Sequence, residues 1–273
     1  MFAFAYSRPT DLAEALATLA GSEEAKPLAG GQTLIPTLKQ RLASPSDLVD
    51  LSRLAALKGI ALADGALVIG AMTRHVEVAT SPLVAAHLPA LAALAGLIGD
   101  PAVRNRGTLG GSVANNDPSA DYPAACLALD AVIVTDRREL PAGAFFTGLF
   151  ETALEPGELV TAVRFPLGGE GTYEKYPNPA SRYAMAGVFV WRGQGDAETP
   201  EVRVAVTGAS QGGVFRWAEA EAALVAEFSP SALAGLRPEA DDMIADIHGS
   251  GAYRAQLVAV MAKRAVAGLA AAR

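Results

Sequence analysis

The sequence predicts an α+β protein in two parts, residues 1–169 and 170–273. Three observations carry this expectation. Helix and strand signals alternate through the opening residues 1–54. A glycine-rich run, Leu167-Gly168-Gly169-Glu170-Gly171, then interrupts the chain, and strand-like runs followed by helical ones fill the remainder. The first part divides again into a small α/β unit, about 1–54, and a larger section with a mixed sheet and helices, 55–169. The second part is expected to be an antiparallel sheet with helices.

Each element has its own signal. Thr10-Asp11 supplies a cap for a helix whose apolar face is Leu12, Leu16 and Leu19, with Glu14 in its first turn. Residues 26–29 read as a short strand running into Gly30-Gly31. Residues 34–42 read as a helix that tolerates Pro36 in its first turn, and 46–51 as a second strand of a βαβ-like unit. Residues 67–72 form an apolar strand, 81–98 a helical stretch rich in Ala and Leu, and 99–121 a polar loop. Residues 131–135 are a strand of the buried type, whereas 158–165 alternate in part and stop at Pro166, the pattern of an edge strand. Beyond the glycine-rich run, 171–176, 185–191 and 202–209 read as strands, and 216–227 and 253–272 as helices.

Composition narrows the chemistry. With 51% hydrophobic and 19% charged residues the chain folds, and a net charge of −7 without any Lys/Arg cluster beyond Arg137-Arg138 argues against a nucleic-acid partner. The single cysteine, Cys126, forms no internal disulfide and cannot ligate an iron–sulfur cluster, and within its Ala-Ala-Cys-Leu-Ala run it reads as a buried small residue. His75, His87 and His248 are scattered, so no metal site is expected. No nucleophile–base pair stands out, so no catalytic residue is assigned. The first residues lack a basic leader ahead of their apolar ones, and 90–99 is too short to span a bilayer, so a soluble cytoplasmic protein without a transmembrane segment is expected.

Two glycine turns carry the functional signal. Ala29-Gly30-Gly31-Gln32-Thr33 leaves a strand and enters a helix, and Thr108-Leu109-Gly110-Gly111-Ser112 lies in the polar loop. Glycines let a ligand approach the main chain, and unpaired N–H groups at a helix start favour a phosphate. Neither turn fits GxGxxG or GxxxxGK[ST], which argues against Rossmann and P-loop sites. A plain turn remains the alternative for each of them.

The run 98–123, with Arg104-Asn105-Arg106-Gly107-Thr108-Leu109-Gly110-Gly111-Ser112 inside it, closely resembles the FAD-binding subunit of aerobic carbon monoxide dehydrogenase. It is similar, more loosely, to the flavin domain of xanthine dehydrogenase. Residues 26–36, 155–160, 173–176, 181–184 and the final helix from Tyr253 carry the same resemblance, in order along the whole chain. The resemblance implies a PCMH-type FAD-binding fold for residues 1–169, with FAD as cofactor. It implies that Pro27, Leu28, Ala29, Gly30, Gly31, Gln32, Thr33 and Leu34 wrap the diphosphate and ribityl chain. Thr108, Gly110, Gly111 and Ser112 close the other side, and Ala114 and Asn115 follow the cofactor. Asp121 accepts from a sugar or ribityl hydroxyl, Ile98 and Tyr183 flank the isoalloxazine, Val160 meets the adenine end, and Lys175 offsets diphosphate charge. Gln32 stands where relatives often have His or Thr, and Thr33 where many have Ser; both keep hydrogen-bonding capacity.

Residue by residue, plainer roles stay open. Asp121 is equally placed to cap the following helix, Lys175 to be a solvated surface lysine, and Tyr183 to be a core aromatic. Arg104 and Arg106 read as structural or interface residues. By the same resemblance, the chain relays electrons from 2Fe-2S clusters of a small partner subunit, through FAD, to an external acceptor. A molybdopterin-binding large subunit oxidises the substrate, in a heterotrimer or its dimer. The lone cysteine argues against the branch acting on 4-hydroxybenzoyl-CoA, whose flavin subunit carries a further cluster. The alternatives are a stand-alone flavoprotein oxidoreductase and a non-enzymatic module for a phosphorylated ligand. A bulky β-branched residue at Gly110 or Gly111 is expected to abolish FAD retention with the fold largely intact.

Overall fold

The computed structural model describes residues 1–194 and 200–271. The chain opens on a three-stranded parallel sheet in the order Ala5–Ser7, Asp47–Asp50, Lys26–Leu28, joined by helices Leu12–Ala20 and Leu34–Lys39. Asp11 caps the first helix as its sequence predicts, accepting the Glu14 N–H at 2.8 Å. Strand Ala5–Ser7 has no counterpart in the sequence expectation, because three residues are too few to display a period.

Next comes a five-stranded sheet, antiparallel throughout, ordered Ile60–Ala63, Ala66–Gly70, Val160–Pro166, Val132–Thr135, Glu139–Pro141. Strand Val160–Pro166 therefore sits at the centre and not at an edge. Pro166 is tolerated because it is the last residue: it pairs only with Ala66, and the ladder on the other side ends at Arg164–Val132. The register slips between Val160 and Ala162, a bulge that bends the strand where it borders the cleft described below.

Helices cover this sheet, and they correct the sequence reading in two places. The stretch 81–98 is two helices, Pro82–His87 and Pro89–Gly96, because Pro89 forces Leu88 out of the helical region, to φ −139° and ψ 64°. The polar segment 99–121 is not a continuous loop: it contains helices Pro101–Arg104 and Leu109–Asn115. Two adjacent glycines lower helix propensity by about 1 kcal/mol each, which hides the second helix from a sequence reading. Thr108, capping it through the Gly111 N–H, and the Gly110 N–H donating to the Ala71 carbonyl at 2.8 Å hold it in place.

At Gly168 (φ +123°) and Gly169 (φ +67°) the chain turns into an antiparallel sheet ordered Glu170–Pro177, Ala184–Gln194, Pro200–Thr207, Phe215–Arg216. Side-chain alternation gives this sheet two buried faces. Val188, Val190, Val204 and Val206 pack on helices Ala218–Ala226 and Gly251–Ala271, while Tyr173, Phe189, Trp191 and Ala205 join the core of the five-stranded sheet and its helices. Each such fully buried valine contributes roughly 1.5–3 kcal/mol relative to exposure. Ala272, the predicted end of the last helix, lies outside the described residues. No helix among them is long and apolar enough to cross a membrane.

Candidate functional site

The first glycine turn starts where strand Lys26–Leu28 leaves the parallel sheet. Lys26, Pro27 and Ala29 line the cleft, whereas Leu28 does not, its Cδ1 facing Gly31. Gly31 has φ +72°, a conformation costly for other residues, and the chain then enters helix Leu34–Lys39. Among the described residues, no acceptor takes the main-chain N–H of Gly30, Gly31, Gln32 or Thr33. Four unpaired donors at one helix entrance form a cradle for an anion.

The second turn is built differently. The Leu109 N–H donates to the Thr73 carbonyl, that of Gly110 to Ala71, and that of Gly111 to the Thr108 hydroxyl. Protein acceptors thus hold most of its amides, and what it offers a ligand is the Thr108, Ser112 and Asn115 side chains and a wall without bulk. A Cβ on Gly110 would lie 2.4 Å from the Ala71 Cβ, so the packing of the helix on Ala71 by itself requires this glycine. The expectation of an intact fold after replacing Gly110 is corrected accordingly. At Gly111 the nearest atoms are the Thr108 hydroxyl at 2.9 Å and the Ala29 Cβ at 3.5 Å, so a methyl group there would narrow the gap between the turns.

The two turns meet. A Cβ on Gly30 would stand 2.2 Å from the Arg106 carbonyl oxygen and 2.7 Å from the Gly107 Cα, so the main chains are in direct contact. They share one cleft of about 580 Å³, within the range of cofactor sites. Of the sequence-predicted residues all but Leu28 and Lys175 line it. One end is aliphatic, with Leu51, Met72, Leu159 and Val160; Ile98, Asp121 and Tyr183 border the other parts of its wall.

Asp121 is 4% exposed and does not cap its helix. Its Oδ1 accepts from the Tyr173 hydroxyl at 2.5 Å and its Oδ2 from the Lys175 ammonium at 2.9 Å. Burial raises the pKa of the carboxyl, and the Lys175 charge and both hydrogen bonds oppose that shift. Lys175 also donates to the Leu97 carbonyl at 3.2 Å. Its side chain is 3% exposed, so it is neither a solvated surface lysine nor free to neutralise a ligand; its charge is balanced by Asp121. Tyr183 is 46% exposed at the cleft mouth and is not a core aromatic. Arg104 holds the Ile98 and Gly99 carbonyls at 3.0 and 3.1 Å, a structural role that fixes Ile98 on the wall. Cys126 is buried, which pushes its thiol pKa up.

Sequence reasoning missed His75, which lines the cleft at 5% exposure, its ring packed on Tyr122 with centroids 5.4 Å apart and its Nδ1 without a partner. A histidine opening a helix, here His75–Thr80, carries no sequence signal of this kind; only the fold brings it under Gly107, where a Cβ would meet its Nε2 at 2.5 Å. Burial, with a smaller contribution from the Arg104 charge, lowers its pKa from 6.5 to about 4. The unfolded chain then binds more protons than the folded one between those values. The share of the stability that depends on neutral His75 is full above pH 6.5 and declines as pH falls to about 4, by at most roughly 3 kcal/mol. Urea unfolding across that range should show the slope in the wild type and its loss in His75→Phe.

Comparison with known proteins gives a consistent result. Residues 2–168 match the family described as the FAD binding domain in molybdopterin dehydrogenase. The chain is 36% identical to the carbon monoxide dehydrogenase medium chain of Hydrogenophaga pseudoflava, over 96% of each. It is 35% identical to the nicotine 6-hydroxylase medium subunit of Paenarthrobacter nicotinovorans, over 97% of this chain and 96% of that one. The solved structure of reconstituted CO dehydrogenase from Oligotropha carboxidovorans superposes with a TM-score of 0.87 at 34% identity, covering 97% of this chain and 96% of its counterpart.

Proposed function

The chain belongs to the family of FAD-binding domains of molybdopterin dehydrogenases, and from that premise we propose that it is the flavin subunit of a molybdenum hydroxylase complex, relaying electrons from a partner's 2Fe-2S clusters to an external acceptor. The observation that carries this reading is the meeting of the two glycine turns over one cleft. The family makes this an oxidoreductase subunit with FAD as its cofactor, and the residues fit that group.

In this reading the free N–H groups of Gly30, Gly31, Gln32 and Thr33 hold the diphosphate, with Pro27, Ala29 and Leu34 beside it and Thr108, Gly110, Gly111 and Ser112 opposite. Lys26 and Arg182, both on the cleft wall, take over the charge-balancing role expected of Lys175. Ala114 and Asn115 follow the chain of the cofactor, and Asp121, with lone pairs left beyond those given to Tyr173 and Lys175, accepts from a hydroxyl. Ile98 and Tyr183 flank the ring, and the aliphatic end with Val160 takes the adenine. Bound there, FAD supplies the exchange between one-electron delivery and two-electron reduction. The protein's share is to bind, orient and shield.

Two relatives are named as a medium chain and a medium subunit, which supports a molybdopterin-binding large subunit and a 2Fe-2S small subunit as partners, in a heterotrimer or its dimer. A cytoplasmic location belongs to the same reading. Gel filtration of the native complex tests it. The expected result is a yellow chain co-eluting with two partners and releasing FAD on denaturation, with substrate turnover only in the assembly. A lone, turnover-competent chain would sink the relay.

A further inference from the structure

The segment 155–160 resembles its relatives, yet nothing so far gives its Glu158 a task. That side chain is inaccessible to solvent. Four donors converge on it: Arg138 Nε to Oε1 at 3.0 Å, Thr135 Oγ1 to Oε1 at 2.8 Å, and the second Arg138 nitrogen and the Glu155 N–H to Oε2, each at 2.8 Å. Arg138 also donates to the Ala153 carbonyl at 2.8 Å. The chain from 153 to 158 is thereby wrapped around one ion pair. The next residue is held just as firmly: the Leu159 N–H donates to Asp136 Oδ1 at 2.7 Å, and the Asp136 N–H returns to the Leu159 carbonyl at 3.0 Å. Beyond it comes the bulge at Val160, and the Thr161 carbonyl accepts from Ala71, the residue that also holds Gly110.

The Arg138 side chain is 37% exposed, so solvent screens this ion pair and it is weak support for stability. What it provides is direction: a bidentate arginine–carboxylate pair fixes geometry more tightly than apolar packing does. This one sits directly before Leu159 and Val160, which form the aliphatic end of the cleft. The Arg138 hydrogen bonds, foremost among the causes, hold the Glu158 pKa down to about 2, so the pair stays ionised throughout the range in which binding is measured.

We propose that Arg138, Glu158 and Asp136 are positioning residues that set the Leu159–Val160 main chain as one jaw of the adenine subsite. The proposal rests on the flavin reading above and adds a division of labour to it: this cluster serves the nucleotide end and leaves the flavin end alone.

Fragments of the cofactor separate the two ends. The full chain, stripped of flavin, is titrated with FAD, ADP and FMN; FMN lacks the adenine and ADP lacks the ring. Glu158→Gln and Arg138→Lys should each weaken ADP and FAD about tenfold or more, the equivalent of roughly one lost positioning hydrogen bond. FMN affinity should stay at the wild-type value, which a merely structural defect would not allow. Asp136→Asn, which keeps an acceptor for the Leu159 N–H, should restore most of the ADP affinity lost in Asp136→Ala, and it provides the measurement should Glu158→Gln not fold. Unchanged ADP and FAD affinities, or an equal loss for FMN, overturn the positioning role. A wild-type chain that takes up neither FAD nor ADP overturns the flavin reading instead.

Discussion

Gly30→Val should abolish FAD retention while leaving most of the fold in place. The reason lies in direction as much as in size. A Cβ at this position points at the main chain of Arg106 and Gly107, with 2.2 Å to a carbonyl oxygen that no side-chain rotation can move aside. The only relief is for the two turns to separate, and the first turn, whose residues 30–33 are not buried, can move away with few core contacts disturbed. We expect a loss of at least about 100-fold in FAD affinity, corresponding to roughly 2.7 kcal/mol, with a much smaller fall in unfolding free energy. Gly110→Val is the informative contrast. There the Cβ strikes Ala71 inside the helix–strand contact, so the destabilisation should be global and reach at least the 1–3 kcal/mol typical of overpacking. Equilibrium titration of FAD beside urea unfolding of the same two variants checks the pair. Full FAD affinity in Gly30→Val would mean that the turns can part without consequence, and the shared diphosphate site would be lost with it.

The contrast between those glycines also shows how far the sequence alone could be read. Both turns are visible in it, because Gly-Gly after a strand or beside polar residues is a local signal. That they touch is a property of tertiary structure, and so is the difference in their use. The first keeps four amides free, and the second has given most of its amides to Ala71, Thr73 and Thr108. The regular C-terminal sheet was legible because Val188, Val190, Val204 and Val206 alternate with residues of the opposite face. Strand Val160–Pro166 misled because its terminal proline imitates an edge, although the missing N–H falls where the ladder has already ended. Helix Leu109–Asn115 was hidden by the very glycines that its packing demands. His75 and Glu158 lay beyond reach for a common reason: their environments come from residues 32 and 20 positions away, Gly107 and Arg138.

Lys175, expected from the sequence to offset diphosphate charge, stands outside the cleft lining and pairs with Asp121, and that pair leads to the second large effect. Among the described residues its ammonium has one carboxylate partner, Asp121, and both side chains are almost completely excluded from water. If Asp121 holds a buried hydroxyl, as the resemblance implies, Asp121→Ala is expected to weaken FAD binding by roughly 1–3 kcal/mol. The structure adds a larger consequence. Removing the carboxylate strands a buried ammonium with only the Leu97 carbonyl to hold it, and leaves the Tyr173 hydroxyl without an acceptor. Breaking a buried pair in this way costs about 3–5 kcal/mol of folding stability, more than the binding term. The flavin-free chain should show that loss in urea, which separates it from any effect on the cofactor. Lys175→Met added to Asp121→Ala removes the stranded charge, and it should recover most of the stability without recovering FAD affinity, because the hydroxyl acceptor is still missing. If Asp121→Ala unfolds at wild-type urea concentration, the ion pair does not exist in the folded protein, and the link it makes between Leu97 and the Tyr122–Ala128 helix must come from packing alone.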